Sequence, residues 1–351
     1  MREIPELDSV RGLAAAGVVL YHAFPFVFFL GWSCVDLFFV LSGYLITTII
    51  IEHHRAPGFL RAFYARRALR IWPVYFLVLA GCLVMNRLSR QGYPAGTLGT
   101  VQHLTFTQNI QGIWGGSVPA YVYAIGPSWS VAIEEQFYLL WPLLLVAMGR
   151  RAVLPAAFVF LVLSVMARVA GSPTNVIIGR GDALAFGCML AGLIHAVQGR
   201  ADILRKLCAA LTVTACLACA YVGVLAWVWW KEPLPQWRVP TFLGFGALYF
   251  ALTGLIVVYS GAWLLAPLRW IPLRGLGHVS YCLYMVHSPI MVYSPALLTR
   301  AGVGSGLLKS TCTWALIAIV PIGSYYLCER PILALKNRFA YGKGVAKRRP
   351  R

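Results

Sequence analysis

The chain has 351 residues, of which 60% are hydrophobic and 12% charged, with a mean hydropathy of +0.73. That balance excludes a soluble globule and predicts an all-α, polytopic membrane helix bundle. The formal net charge of +19 does not point to nucleic acid, because the basic residues are interspersed between apolar runs. Nine cysteines are scattered through apolar segments, and the close pair Cys216 and Cys219 has no histidine or acidic neighbour, so neither a metal nor a disulfide is expected.

Ten spans are predicted, at 10–29, 33–52, 71–88, 128–148, 152–170, 182–198, 207–229, 241–261, 277–298 and 307–328. Glu3, Glu6 and Asp8 spoil a basic leader, so the first run is expected to stay as a span rather than be cleaved as a signal. With the N-terminus inside, 22 of the 30 Lys and Arg fall on the cytoplasmic side and 8 outside. This positive-inside bias favours an even number of spans and places both termini in the cytoplasm. Residues 1–335 read as one transmembrane domain, and the basic tail 336–351 as a disordered segment lying against anionic headgroups. The longest connection, 89–127, is outside; within it LTFTQNI either dips back into the membrane or forms a short surface helix.

Polar residues inside these runs are candidates for function. Arg11, His22 and Asp36 fall in or beside the first two spans. If the helix enters lipid near Arg11, eleven residues at 1.5 Å put His22 about 16 Å deep, near the midplane. Asp36 is shallow, open either to a basic partner or to a substrate. Ser42 and Gly43 lie deeper, where small residues permit close packing or leave room for a slender ligand. Arg66, Arg67 and Arg70 precede the third span, with Arg70 on a common helical face with either of the others. Their guanidinium forks suit phosphate, although a juxtamembrane anchor has the same composition. In SWSVAIEEQFYLLWP, Ser130 and Glu134 share a face while Glu135 is turned about 100° away. Arg180 and Asp182 are expected to pair with each other at the outer end of the sixth span. His287 is a second deep histidine, with Ser280, Tyr281 and Tyr284 offering hydroxyls below it.

LDSVRG with the spacing from Arg11 to His22, then VDLFFVLSGYLI, FYARRALRIWP, SWSVAIEEQFYLLWP and LGHVSYCLYMVHSPI, follow in this order over nearly the whole chain. Together they resemble the acyltransferase-3 family of bacterial membrane acyltransferases. The resemblance implies an inner-membrane enzyme that takes an acyl group, acetyl first among the choices, from acyl-CoA on the cytoplasmic side. It passes that group to a hydroxyl of a surface or extracytoplasmic glycan. Arg11 and His22 match the family's first-helix pair, Arg67 and Arg70 its basic pair, and Glu134 its fourth-helix glutamate. A thioester is already activated, so the expected catalytic groups are His22 as general base and Glu134 as the carboxylate stabilising or orienting it. A transient acyl-histidine is the variant. Arg11, Arg66, Arg67 and Arg70 are expected to hold the donor, and Asp36, Ser42, Ser130 and His287 to contact substrate, without a metal. Some relatives add an extracytoplasmic esterase-like domain; this chain ends about twenty residues after its tenth span, so a separate periplasmic acyl-carrying partner or direct transfer is expected. The competing class is a proton-coupled exporter of a glycan intermediate, with His22, Glu134 and His287 as the relay.

Overall fold

The computed structural model describes residues 3–88, 97–110, 124–231 and 238–341, and every regular element among them is helical. Helices α1 (Pro5–Ala23), α2 (Cys34–His53), α3 (Phe59–Leu88) and the short α4 (Thr97–Leu104) come first. Then follow α5 (Trp129–Met148), α6 (Val153–Val169), the single turn α7 (Ile177–Arg180) and α8 (Asp182–Ala196). Helices α9 (Ala201–Lys231), α10 (Arg238–Val258), α11 (Ile271–Arg300) and α12 (Gly306–Ser324) complete the bundle, followed by a π-turn at Tyr325–Glu329. Each of the ten predicted spans is a helix. Seven helical stretches among the described residues are long and apolar enough to cross a bilayer, so the protein is a multi-pass membrane protein. Glu3 and Lys336 line one cavity, so the two ends of the described chain meet at the same end of the bundle, as an even number of spans requires.

Besides the short α4 and α7, three helices fall outside that apolar set. Helix α1 carries Glu6, Asp8 and Arg11, α8 is only 15 residues long, and α11 carries Arg274, His278 and His287. They sit inside the bundle. Helix α8 crosses α2 where Gly43 and Gly187 interlock: a Cβ on Gly43 would run into the Leu184 carbonyl, and one on Gly187 into the Val40 carbonyl. Helices α1 and α11 run side by side in the same direction, touching where a Cβ on Gly277 would meet the Asp8 carbonyl and one on Gly12 the Gly277 nitrogen. Small residues let these backbones approach far more closely than larger side chains allow.

The first span differs from its expected bounds. Helix α1 starts at Pro5 and stops at Ala23, because Pro25 disfavours helical geometry at Phe24, whose φ of −137° and ψ of 65° break the ladder. LTFTQNI dips inward. Phe106 packs against Tyr75 with centroids 4.6 Å apart, and its carbonyl accepts from Gln136, seven residues or about 10 Å along α5.

Candidate active site

The new bounds of α1 move His22. Counted from Pro5 it stands about 25 Å up the helix, in the last turn and exposed, rather than halfway along a span. Its Nδ1 lies 2.9 Å from the Val18 carbonyl. A carbonyl only accepts, so Nδ1 carries the hydrogen and Nε2 keeps its lone pair. The ring packs against His287, with centroids 5.0 Å apart. His287 is fully buried, its Nδ1 donates to the Tyr284 carbonyl at 2.7 Å, and its Nε2 has no hydrogen-bond partner among the described residues. From the glycine contact, His22 and His287 are each ten residues further along parallel helices, which is why they meet.

Below the pair stands Tyr284. Its ring lies 5.9 Å from that of His287, and its hydroxyl is 2.7 Å from Ser130 Oγ and donates to the Pro127 carbonyl at 3.0 Å. One helical turn deeper, Glu134 accepts from Ser42 at 2.5 Å, and the Ser42 hydroxyl also meets that of Tyr138 at 2.9 Å. Arg11, Ser42, Ser130, Glu134 and Tyr284 surround a small chamber of about 50 Å3, bounded towards His287 by Tyr284, whose ring Phe38 packs against. Glu134 therefore faces Ser42 and the charge of Arg11, and the neighbour of His22 is an imidazole rather than a carboxylate.

Arg11, Leu45 and Tyr281 also line a larger, more polar cavity of about 420 Å3 at the basic end, so the chamber and the cavity adjoin. Around it stand Asp8, Arg70, Arg274, Glu329 and Lys336. Arg11 and Arg70 thus line one cavity. The other two arginines go elsewhere. Arg67 faces a separate cavity of about 530 Å3 beside Trp72 and Glu135, and Arg66 stacks over Tyr341 at 4.7 Å and donates to the Phe339 carbonyl. Arg66 holds the segment after the π-turn, which engages its guanidinium away from the cavity. Residues 342–351 of the basic tail lie outside the described residues.

Asp36 is not open to a substrate. It is 1% exposed and grips Arg180 through both oxygens, at 2.9 and 3.0 Å, while Arg168 takes Asp182 at 2.6 Å. The expected Arg180–Asp182 pair is replaced by these two cross-helix bridges, Arg180 closing α7 and Asp182 opening α8 on either side of Gly181. Arg274 was legible only as topology. The stripe Arg274, His278, Tyr281 at spacings of four and three is the signal that marks one face of α11 as cavity wall.

A family described as an acyltransferase domain matches residues 4–329. The chain belongs to that family. YrhL of Bacillus subtilis (strain 168) is 32% identical over 362 residues, covering 94% of this chain and 55% of the relative. The O-acetyltransferase OatA of Staphylococcus aureus (strain NCTC 8325 / PS 47) is 30% identical, covering 83% and 51%. The peptidoglycan O-acetyltransferase OatA of Listeria monocytogenes (serovar 1/2a) is 26% identical, covering 97% and 57%. The chain spans about half the length of these curated relatives. No solved structure matches it.

Proposed function

We propose that this protein is a bacterial inner-membrane O-acyltransferase that moves an acyl group, acetyl first, from acyl-CoA to a hydroxyl of an extracytoplasmic glycan, with His22 as general base. The names of the OatA relatives support an acetyl group and a peptidoglycan-like acceptor. One observation carries the reading: with Nδ1 engaged at the Val18 carbonyl, His22 has Nε2 left for the reaction at the exposed outer end of a polar column that begins at a cavity lined by Arg11, Arg70 and Arg274.

The three guanidinium groups suit the phosphates of coenzyme A, which prefer forked donors. Arg11 to His22 is about 16 Å along α1, a distance comparable to an extended pantetheine arm. Ser42, Glu134 and Ser130 line the route with hydrogen-bonding groups, and Glu134 balances the charge of Arg11. Tyr284, with Phe38 against its ring, stands between the chamber and His287, so its displacement is part of thioester delivery. At the far end, His22 takes the proton of the acceptor hydroxyl as its oxygen attacks the thioester carbon. The O–acyl bond forms, the C–S bond breaks, and the proton ends on the departing thiolate.

The test is acylation in detergent, where no gradient exists, using purified protein, acetyl-CoA and an oligosaccharide acceptor with mass-spectrometric detection of one added acetyl group. Product formed by the wild type and lost in a folded His22→Ala variant is the expected result. Wild-type turnover by that variant overturns His22 as the base, and glycan flux into proteoliposomes without acyl transfer overturns the enzyme reading in favour of export.

A further inference from the structure

The base needs a group that tolerates its charge once it is protonated, and the described structure supplies no carboxylate beside it. What it supplies is a second imidazole. Two rings stand against His287: that of His22 from α1, and that of Tyr284 one turn earlier on α11. Glu134 and Arg180 are the charged groups that act on the Tyr284 hydroxyl.

Buried polar atoms are satisfied in the great majority of cases, and each exception calls for a reason. The Nε2 of His287 is such an exception: the residue is 0% exposed, its Nδ1 hydrogen is spent on the Tyr284 carbonyl, and its remaining nitrogen offers only a lone pair. A lone pair in that position is satisfied by a donor. His22 cannot be that donor in its resting form, because its own hydrogen is spent on Val18. It becomes one on accepting a proton at Nε2, and its ring is already in contact at 5.0 Å.

We propose that His287 is the positioning residue of the reaction, accepting through Nε2 a hydrogen bond from the imidazolium that His22 becomes. The step balances within the chemistry already given. The acceptor hydroxyl loses its proton to His22 Nε2, the proton is held between the two rings while the tetrahedral adduct collapses, and it leaves on the sulfur of coenzyme A. No second proton enters, since two charged imidazoles in contact would repel. The inference rests on His22 being the base and gives the supporting role, expected of Glu134, to the other deep histidine.

Two substitutions separate this role from packing. His287→Asn keeps a donor for the Tyr284 carbonyl but places nothing at Nε2. His287→Gln reaches further and puts an amide oxygen, an acceptor, near the Nε2 position. Each is purified in detergent beside His22→Gln, with melting temperature and coenzyme A affinity measured first, then kcat and KM for acetyl-CoA and an oligosaccharide acceptor. Expected is a fall in kcat of about tenfold to a hundredfold for the Asn variant, the size of a lost charge-assisted hydrogen bond, with both KM values within about threefold of wild type. The Gln variant is expected to recover most of that loss. An Asn variant as active as wild type, or a Gln variant no better than the Asn one, overturns the proposal. Failure of the base reading looks different: His22→Gln then keeps the wild-type rate whatever the His287 variants do.

Discussion

A carbonyl one turn below His22 decides what that residue can do, because the Val18 oxygen fixes the hydrogen on Nδ1 and leaves Nε2 free. Replacing the ring by Gln keeps size and polarity but removes the basic nitrogen, so His22→Gln should lower acyl transfer by about 10²- to 10⁴-fold. Coenzyme A binding, which we propose for Arg11, some 16 Å away along α1, and for Arg70, should hold, as isothermal titration would show. Asp36 illustrates the opposite kind of residue. Both of its oxygens are committed to Arg180, whose guanidinium lies 4.2 Å from the Phe242 ring centroid. Asp36→Asn leaves a buried guanidinium without its counter-charge, a loss of about 3–5 kcal/mol, and should lower the melting temperature. Loss of activity at an unchanged melting temperature would instead make Asp36 a substrate contact. His22, Arg11 and Arg70 were legible because a charged group in an apolar run is conspicuous wherever it falls. The partners were not legible: Arg180 is 144 positions from Asp36, and Asp182 is a nearer acid that pairs with Arg168 instead.

At the scale of helices, apolar runs and punctuation sufficed to find the spans, and Pro25 was a readable stop signal that a hydropathy window from Gly12 onward overran. The pairing of helices was less readable, because it depends on which glycines meet. The contact between Gly12 and Gly277 brings α1 against α11 and thereby sets the two histidines at one level. A side chain on Gly277 must push into the Asp8 carbonyl, whose backbone cannot rotate aside, whereas Gly275 on the same helix has open space within 4 Å. Gly277→Val should therefore separate the helices and abolish acylation, while Gly275→Val, with similar helix propensity cost, should stay close to wild type in both activity and melting temperature. Equal behaviour of the two variants would mean that the α1–α11 contact is not what aligns the site.

Taken whole, the molecule packs α1 and α11, which carry Arg11, Arg274 and the histidines of the site, against each other among the apolar spans, where intramembrane polar groups find partners or a cavity. That arrangement has to be tied at its ends, and Glu6 is one of the ties. It is fully buried just before the apolar part of α1, and accepts from the Gly261 N–H, Ser260 Oγ and Arg269, each at 3.0 Å, joining the start of the chain to the turn between α10 and α11. Burial alone pushes its carboxyl up, but the bonds from Gly261, Arg269 and Ser260 outweigh it and hold the group below its ordinary value of 4.5. A carboxyl with a lowered folded value contributes stability that is fully present above 4.5 and is lost as the pH falls through the lowered value. Thermal unfolding of the wild type and Glu6→Gln across that range should therefore show the largest gap near neutrality and convergence in acid. A gap that stays constant with pH would make the Glu6 contact a matter of shape rather than of charge, and the closure of the basic end would then rest on packing between Gly12 and Gly277.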